Sequence, residues 1–425
     1  MFLLTKKTRT ILFWIFVFLF FCLSLSLVLF SFGFKLSFKD GNLKIQKTGA
    51  LYLETEPKSD RLYFYLNKKL KTPKKRLFGG YFFEALLPGK YLVEVKKNDC
   101  FEWKKNIEIF PGIVSFAKIN LVKKNQLEKF LLKTTSTLIS VSEKQQKLIF
   151  KNKDQIEIFD LKEKKFEKFN LPKKFIVKKT YFHPFSSKKL LIIGTFSLKA
   201  TSSIFEVDFL KKRLKKIKDL SYKFYEINPS NGDLFYLDKK NILFKENIFH
   251  NTKDLIFSSS SLDLASTSTL KLENFKLIKN KYLILKTNLG KFILDLDSKN
   301  LLIKKPIEAD LILPDENREK VVFYQKNEIK LNYLKEISSP LTRNKGDLDH
   351  LIKLPSVKKI EFYKDNWYLF ILKDNTLFFL ELDSRKPINL YPLSKNVKNF
   401  WYFKEKNFLL LLKKNGLFTL KFLSS

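Results

Sequence analysis

A run of 25 uncharged residues, Thr10 to Phe34, follows directly on Lys6, Lys7 and Arg9 and constrains this chain more than any other feature. Its core, ILFWIFVFLFFCLSLSLVLF from Ile11 to Phe30, is long enough to cross a bilayer core of roughly 30 Å as a helix. Basic residues on the amino side of such a span favour keeping that end in the cytoplasm. The sequence therefore predicts a cytoplasmic tail over 1–9, a transmembrane helix of the signal-anchor kind over 10–34, and an extracytoplasmic remainder. The corresponding place is the cytoplasmic (inner) membrane, single-pass, amino end inside. A cleaved signal peptide is the competing reading, but its apolar region is about 7 to 15 residues and ends at a small-x-small site. Here bulky residues continue through Ser31, Phe32, Gly33 and Phe34. A buried helix of a soluble protein would need a polar face, which this run lacks.

Only two cysteines are present, Cys22 in the apolar run and Cys100 beyond it, so the exported part has no intrachain disulfide framework and depends on packing. The formal charge is +38, from 81 Lys plus Arg against 43 Asp plus Glu. Nearly all the basic residues are lysine, scattered as Lys68-Lys69, Lys74-Lys75-Arg76, Lys104-Lys105, Lys211-Lys212-Arg213 and Lys413-Lys414. Scarce arginine weakens a nucleic-acid reading, which relies on bidentate guanidinium geometry, and a membrane anchor removes most nucleic acid from reach. The expectation is a solvated basic surface, with attraction to anionic lipid head groups or wall polymer as a collective effect of many lysines and not recognition at one pocket. A compositional bias of the source would give the same lysine excess.

From Gly49 to about Leu121 short alternating segments are separated by strong turn signals. They read ALYLET from Ala50, LYFYL from Leu62, Gly80 to Leu87, YLVEV from Tyr91, Phe101 to Ile109, and Ile113 to Leu121. Pro88-Gly89 fits a type II turn, in which proline presets φ and glycine accepts the positive φ that follows, and Pro111-Gly112 joins the last two segments. Half-buried strands of this kind must cover one apolar face with a second sheet, so a compact β-sandwich is expected.

These residues resemble a PEGA domain, a small extracytoplasmic β module, over roughly residues 47–121. The resemblance rests on Gly49 and the first strand, Pro57 at its end, Thr72-Pro73, Leu87-Pro88-Gly89 with Tyr91 two residues on, Trp103, and Pro111-Gly112. Lys58-Ser59-Asp60 and Asp99-Cys100 depart from the glycine-containing pairs usual there, which implies turns of different shape. The resemblance implies a surface or binding module with no catalytic residues. Read on their own, Pro88, Gly89, Trp103, Pro111 and Gly112 shape turns and core.

Past Leu121 the chain has no long amphipathic helix. Leu127 to Ser140 comes nearest, and Thr134, Thr135 and Thr137 make it equally a strand and connector. What recurs is an apolar strand, a turn rich in Lys, Asn or Asp, and a second apolar strand. The copies begin at Lys147, Ser202, Asp233, Lys281, Lys320, Trp367 and Asn407. Their strand ends align at Asp160, Asp208, Lys245, Asp297, Lys335, Asp383 and Phe422, with steps of 37 to 52 residues. A mean step of about 44 matches a four-stranded propeller blade. Repeats of this length bury their faces only by stacking, so a seven-bladed β-propeller is expected over 135–425. In this rhythm the region resembles degenerate WD40-like or TolB-like propellers, without their Trp-Asp and Gly-His pairs. The resemblance gives Asp160, Asp208, Asp297 and Asp383 the role of closing turns through side-chain to backbone bonds. Another all-β arrangement, such as two stacked sandwiches, fits the same rhythm.

No HExxH, CxxC, P-loop, GxSxG or Rossmann glycine pattern occurs. His183, His250 and His350 are isolated in sequence. Asp254, Ser258 to Ser261 and Asp263 read as a loop, not a nucleophile site. Glu308, Asp310, Asp315, Glu316 and Glu319 read as a solvated loop. Asp315, Asn317 and Glu319 alternate as in a calcium loop, but Lys320 and Lys326 stand where its glycine and closing glutamate belong. The sequence thus nominates no catalytic, cofactor-binding or metal residue and no cofactor. The expected protein is all-β after its transmembrane helix, and non-enzymatic. It binds or scaffolds at the cell envelope, with the lipid bilayer engaged through 10–34 and an envelope protein or anionic wall polymer as further partner. An envelope hydrolase or lyase acting on polysaccharide or peptide is the alternative.

Overall fold

The computed structural model of the chain describes residues 5–39, 42–58, 61–77, 79–133, 136–196, 201–222, 224–250, 252–257, 271–303 and 305–422. The apolar run forms one helix, Lys6–Ser31, long and apolar enough to cross a membrane and unburied by the rest of the chain. Thr5 caps its start, its hydroxyl accepting from the Thr8 amide at 3.4 Å. The helix stops short of the expected end at 34. The amides of Phe32 and Gly33 fold back onto the carbonyls of Val28 and Phe30, and the chain passes into an antiparallel hairpin, Phe34–Lys39 with Asn42–Lys47.

The next strands build two four-stranded sheets packed face to face. One runs Val114–Asn120, Gly49–Glu56, Gly80–Leu86, Lys75–Leu77, with its first pair parallel. The other runs Lys69–Lys71, Tyr63–Leu66, Gly89–Lys96, Trp103–Ile109. Inward residues of both, among them Leu51, Leu53, Phe64, Val93, Trp103, Ile107, Ala117 and Ile119, make one apolar core. The Leu87-Pro88-Gly89 turn is held by the Tyr91 hydroxyl, which donates to the Leu87 carbonyl at 2.9 Å. Of the turn at Lys58-Ser59-Asp60, Ser59 and Asp60 lie outside the described residues.

Beyond residue 121 come seven antiparallel sheets in a propeller-like arrangement, here lettered A to G in chain order. Their first strands are Thr137–Ser142, Ile176–Phe182, Tyr225–Ile227, Leu272–Ile278, Leu311–Pro314, Val357–Phe362 and Val397–Phe403. Second strands such as Lys189–Thr195 and Tyr368–Lys373 are continuous apolar runs because neighbouring sheets cover both faces. Fourth strands such as Lys165–Asn170 and Arg213–Leu220 are lysine-rich and mostly exposed, a composition that discourages pairing at an open edge. Sheet D has three strands, and Leu301 and Ile307 bridge to it singly where a fourth would lie.

Apolar clusters join each sheet to the next, and a further one, with Leu148, Phe150, Phe159, Phe403, Leu410 and Leu417, joins sheet G to sheet A. Sheet G takes its outer strand from the other end of the region. Glu128–Leu132 pairs antiparallel with Gly416–Lys421. That outer strand lies ahead of residue 135, and the segment read ambiguously from Leu127 to Ser140 holds it together with the start of the first strand of sheet A. The close approach is built around Gly416, at φ +137°, where a Cβ would run into the Leu132 carbonyl oxygen.

The seven aligned repeat positions lie in or just after the third strand of each sheet. Asp160 accepts from the amides of Lys162 and Glu163 at 2.8 and 3.1 Å, Asp208 from Leu210 and Lys211 at 3.0 Å each, and Asp383 from Arg385 at 3.0 Å. Asp297 does not close its turn. Asp295 does, accepting from the Asp297 amide at 3.1 Å, while Asp297 pairs with Arg318. The third strand of sheet D ends at Asp295, which takes the capping position, whereas in sheet F the strand ends at Glu381 and the cap is Asp383 two residues on.

Sandwich and sheet F are locked together. Lys105 meets Glu381 at 2.9 Å with both side chains sealed from solvent, and its ammonium also donates to the Asp383 carbonyl at 2.9 Å. The Trp103 indole N–H donates to Glu381 at 3.1 Å, and Asn389 donates to Glu381 at 2.6 Å and to the Lys104 carbonyl at 3.1 Å. Tyr368 receives the Asn120 amide at 3.0 Å and donates to the Lys118 carbonyl at 3.1 Å. With its remaining lone pairs satisfied this way, a buried ion pair is tolerable and geometrically specific.

Candidate binding site

The first strands of the sheets converge, and their two ends open onto different chemistry. Beyond their carboxyl ends lies a cavity of about 590 Å³ lined by residues of sheets A, B, C, E, F and G and by Lys279 and Asn280 after the first strand of sheet D. Its lining carries four carboxylates, Glu143, Glu316, Glu361 and Glu405, interleaved with Lys144, Lys279, Lys404 and Lys406. Lys404 and Lys279 both reach Glu316, at 2.5 and 3.3 Å, and Lys359 stands 3.6 Å from Glu361.

Glu143 is exposed to the cavity and Glu316 and Glu361 are half-buried, yet protein from several sheets surrounds them, and desolvation is the largest single influence on each. Burial, reinforced by the Glu361 charge, pushes the Glu143 carboxyl up to about 8. Burial likewise raises Glu361 and lowers Lys359, although each opposes the other's shift. Glu316 also suffers burial, but the Lys404 hydrogen bond and the Lys279 charge outweigh it and hold its carboxyl below the usual range.

At the starting ends of the same strands the walls are lysine. A cavity of about 780 Å³ among sheets D, E, F and G runs along these strands and is lined by Lys276, Lys286, Lys291, Lys358, Lys359 and Lys398, with Lys279 shared with the carboxylate end and Asp310 as its one acidic lining residue. A second, of about 840 Å³ between sheets A and B, has Lys151, Lys153, Lys178 and Lys179. For three of these lysines, Lys178, Lys358 and Lys398, the placement has a backbone cause. Five of the seven first strands carry a register shift near their start, so that Ile139, Lys178, Glu273, Lys358 and Lys398 each fall at an unpaired position. A bulge re-aims its extra side chain, and here the same irregularity recurs in sheets A, B, D, F and G. Several of these lysines are engaged: Lys286 with Glu273 at 3.1 Å, Lys358 with Asn375 at 3.0 Å, Lys178 with Ser202 at 2.7 Å, Lys179 with Glu226 at 2.9 Å. Lys276 and Lys398 have no ion-pair partner among the described residues.

The residues singled out in sequence are dispersed. His183 is buried against Glu206 at 3.2 Å in sheet B, where burial lowers its imidazole. His350 pairs with Glu328 at the surface of sheet E, 3.1 Å apart, and His250 is exposed in a turn. Ser258 to Ser261 and Asp263 lie outside the described residues. The acidic stretch after residue 308 is not uniformly solvated: Asp310 lines the lysine cavity, Asp315 is fully buried and accepts from the amides of Glu319 and Lys320, and Glu316 joins the carboxylate end. Next to Asp315, Lys320 is sealed in the protein with its ammonium 3.5 Å above the Trp367 ring, and burial pushes it down to about 8. Among the described residues no group of three or more His, Cys, Asp or Glu is placed to hold a metal ion.

No family model matches this chain, and no curated protein matches it. Solved structures similar to it include the beta-propeller domain of Myceliophteria thermophila Cps50 (Swd1), at 12% identity and a TM-score of 0.43, covering 70% of this chain and 100% of that one. They also include an oligogalacturonate lyase from Vibrio parahaemolyticus, at 10% identity and a TM-score of 0.45, covering 69% of this chain and 93% of that one.

Proposed function

We propose that this is a non-enzymatic binding or scaffolding protein of the cell envelope that presents the lysine-lined mouth to an anionic wall polymer. In this reading the helix is a permanent single-pass anchor with its amino end in the cytoplasm, residues 47–121 form a PEGA-like sandwich, and the seven sheets close into a propeller through Glu128–Leu132. The packing of sheet G on sheet A and the pairing of Gly416–Lys421 with Glu128–Leu132 support closure. The observation that carries the ligand class is the imbalance of the cavity among sheets D to G, whose lining has seven lysines against Asp310, with only Lys279 and Lys359 answered by carboxylates of the other cavity, Glu316 and Glu361. A run of like charge inside a concave wall focuses potential more than the same lysines scattered over a convex surface.

The test is co-sedimentation of the full-length protein in nanodiscs with purified anionic wall polymer across a salt series. Binding that weakens steeply as the screening length falls below about 8 Å is expected. Reversing Lys276 and Lys398 to glutamate should weaken it by about tenfold or more, on the order of 1 kcal/mol per lysine. Reversing Lys211 and Lys212 in a sheet B turn should do little. Equal effects from both pairs would reduce the interaction to diffuse charge, and no binding at low salt would remove it.

One observation favours a second reading, an envelope hydrolase or lyase acting on polysaccharide or peptide. Glu143, open to the cavity yet held protonated up to about 8 by desolvation and the Glu361 charge, suits a general acid. A change in polymer mass during the binding assay, abolished by Glu143→Gln, would replace the scaffold with the enzyme.

A further inference from the structure

The sandwich ends, on the side where the helix emerges, in an exposed apolar corner, and we infer that this corner is a second membrane contact that rests in the headgroup region of the leaflet the helix leaves. The inference rests on reading Lys6–Ser31 as a spanning helix. From Thr10 to Ser31 that helix rises about 33 Å at 1.5 Å per residue, close to the thickness of a bilayer core, so its last turn and Gly33 reach the outer edge of the hydrocarbon.

Gly33 is tied to the sandwich. The amide and hydroxyl of Thr48 both donate to the Gly33 carbonyl, each at 2.7 Å, and the Thr48 carbonyl in turn accepts from the Gly112 amide at 2.8 Å. The turn Phe110–Pro111–Gly112–Ile113 is thus two hydrogen bonds from the end of the helix. It is also pinned from below. The Ala50 amide donates to the Ile113 carbonyl at 3.0 Å, and the turn crosses directly over Gly49, where a Cβ would strike the Phe110 carbonyl oxygen and come within 2.7 Å of Ile109. The turn therefore cannot swing away from the helix end without breaking the sandwich.

At that fixed position the side chains are apolar and uncovered. Phe110, Ile113 and Val114 are 47%, 57% and 53% exposed, and Phe32 at the helix end is 67% exposed. Lys47 lies against Gly112 on the same corner. Apolar side chains backed by a cation, held at the depth of the headgroup and acyl boundary, match what an interfacial segment presents to lipid. With helix and corner both engaged, the sandwich would stand on the membrane at two points, which restrains its tilt.

The experiment uses the full chain in nanodiscs of phosphatidylcholine and phosphatidylglycerol, with an environment-sensitive fluorophore on single cysteines and nitroxide lipids as quenchers. Cys100 is buried and stays unlabelled, while Cys22 is exposed on the helix and reports the anchor itself. Three proteins are compared: the native chain labelled at Cys22, Cys22→Ala/Ile113→Cys, and Cys22→Ala/Lys414→Cys, with Lys414 in an exposed turn of sheet G. The Cys22 label should lose most of its emission to a deep acyl nitroxide and the Ile113→Cys label to a headgroup nitroxide, while the Lys414→Cys label keeps its emission with both. If the Ile113→Cys label behaves like the Lys414→Cys label while Cys22 is quenched, the corner does not touch lipid and the anchor stands. If Cys22 is unquenched, the spanning helix fails and this inference fails with it. Unchanged melting temperatures of the labelled proteins exclude misfolding as the cause of either result.

Discussion

Lys105 of the sandwich and Glu381 of sheet F form an ion pair of 2.9 Å that no solvent reaches. Burial raises the Glu381 carboxyl, and the Lys105 ammonium and Asn389 amide oppose that shift. Removing one member strands the other in a dry site, so Lys105→Ala should cost about 3–5 kcal/mol. Lys105→Met with Glu381→Met should recover part of it, because the paired desolvation penalty disappears with both charges while the buried Trp103 indole N–H loses its acceptor. Denaturant unfolding of the full chain in detergent checks both. A Lys105→Ala midpoint equal to the native one would mean that the two bodies are not energetically coupled at this contact.

Glu143 gives the protein a pH signature. Its carboxyl binds its proton more tightly in the folded chain, up to about 8, than in the unfolded chain, near 4.5. The stability it contributes is therefore complete below pH 4.5 and is lost as pH rises through about 8. Glu143→Gln should melt with the native protein at acid pH and above it on the alkaline side. Parallel melting curves across the whole range would show that the cavity hydrates this carboxyl as bulk water does.

Lys320 predicts the opposite slope. Its ammonium is pushed down to about 8 from 10.5, so the stability it costs is felt below 8 and is relieved as pH climbs toward 10.5. Lys320→Met should stabilise the chain at neutral pH, with the advantage shrinking in alkali. Trp367→Ala should destabilise it by about 3–5 kcal/mol through the cavity left behind. Thermal melts at several pH values separate the two, and a Lys320→Met variant that is less stable at pH 7 would assign the ammonium a stabilising cation–π contact.

The outer strand of sheet G offers a test by truncation. Fragments beginning at 123 and at 135 both lack the sandwich and differ in Glu128–Leu132, so their comparison isolates that strand. The shorter one should exchange amide hydrogens of Gly416–Lys421 rapidly and aggregate through the uncovered edge. In the full chain, Gly416→Ala should cost about 1–3 kcal/mol by forcing a left-handed backbone and a carbonyl apart. Equal protection of Gly416–Lys421 in both fragments would mean that sheet G is complete without its amino-terminal strand.

Much of this architecture was legible because it follows from periodicity. The apolar run, the turn prolines and glycines of the sandwich and the recurrence of third-strand ends mark elements that the structure contains. The outer strand Glu128–Leu132 was obscure because its partner lies 285 or more residues away and nothing local demands pairing. Asp297 was chosen over Asp295 because a sequence alignment cannot see where a strand ends. Lys105 carried an overlooked signal: in Trp103-Lys104-Lys105-Asn106-Ile107 the alternation puts a lysine on the inward face, which requires a buried counter-charge. The carboxylates Glu143, Glu316 and Glu361 had no such mark. They come from three sheets and meet only where the first strands converge, and the acidic stretch around Glu316 reads as solvent-facing until the neighbouring sheets enclose it.

The sandwich meets sheet F at residues 364–368 and 381–391, beyond the carboxyl ends of the first and third strands, where the carboxylate cavity also opens. The bulged lysines sit at the other end of the same strands. That gives the body a near pole and a far pole, with the sandwich as a spacer on the near one. If the helix is embedded, the far pole faces away from the bilayer, and the lysines there stand off from the lipids of their own leaflet by the height of a whole domain. Under the proposed function, the polymer that answers their charge would approach from the side opposite the bilayer.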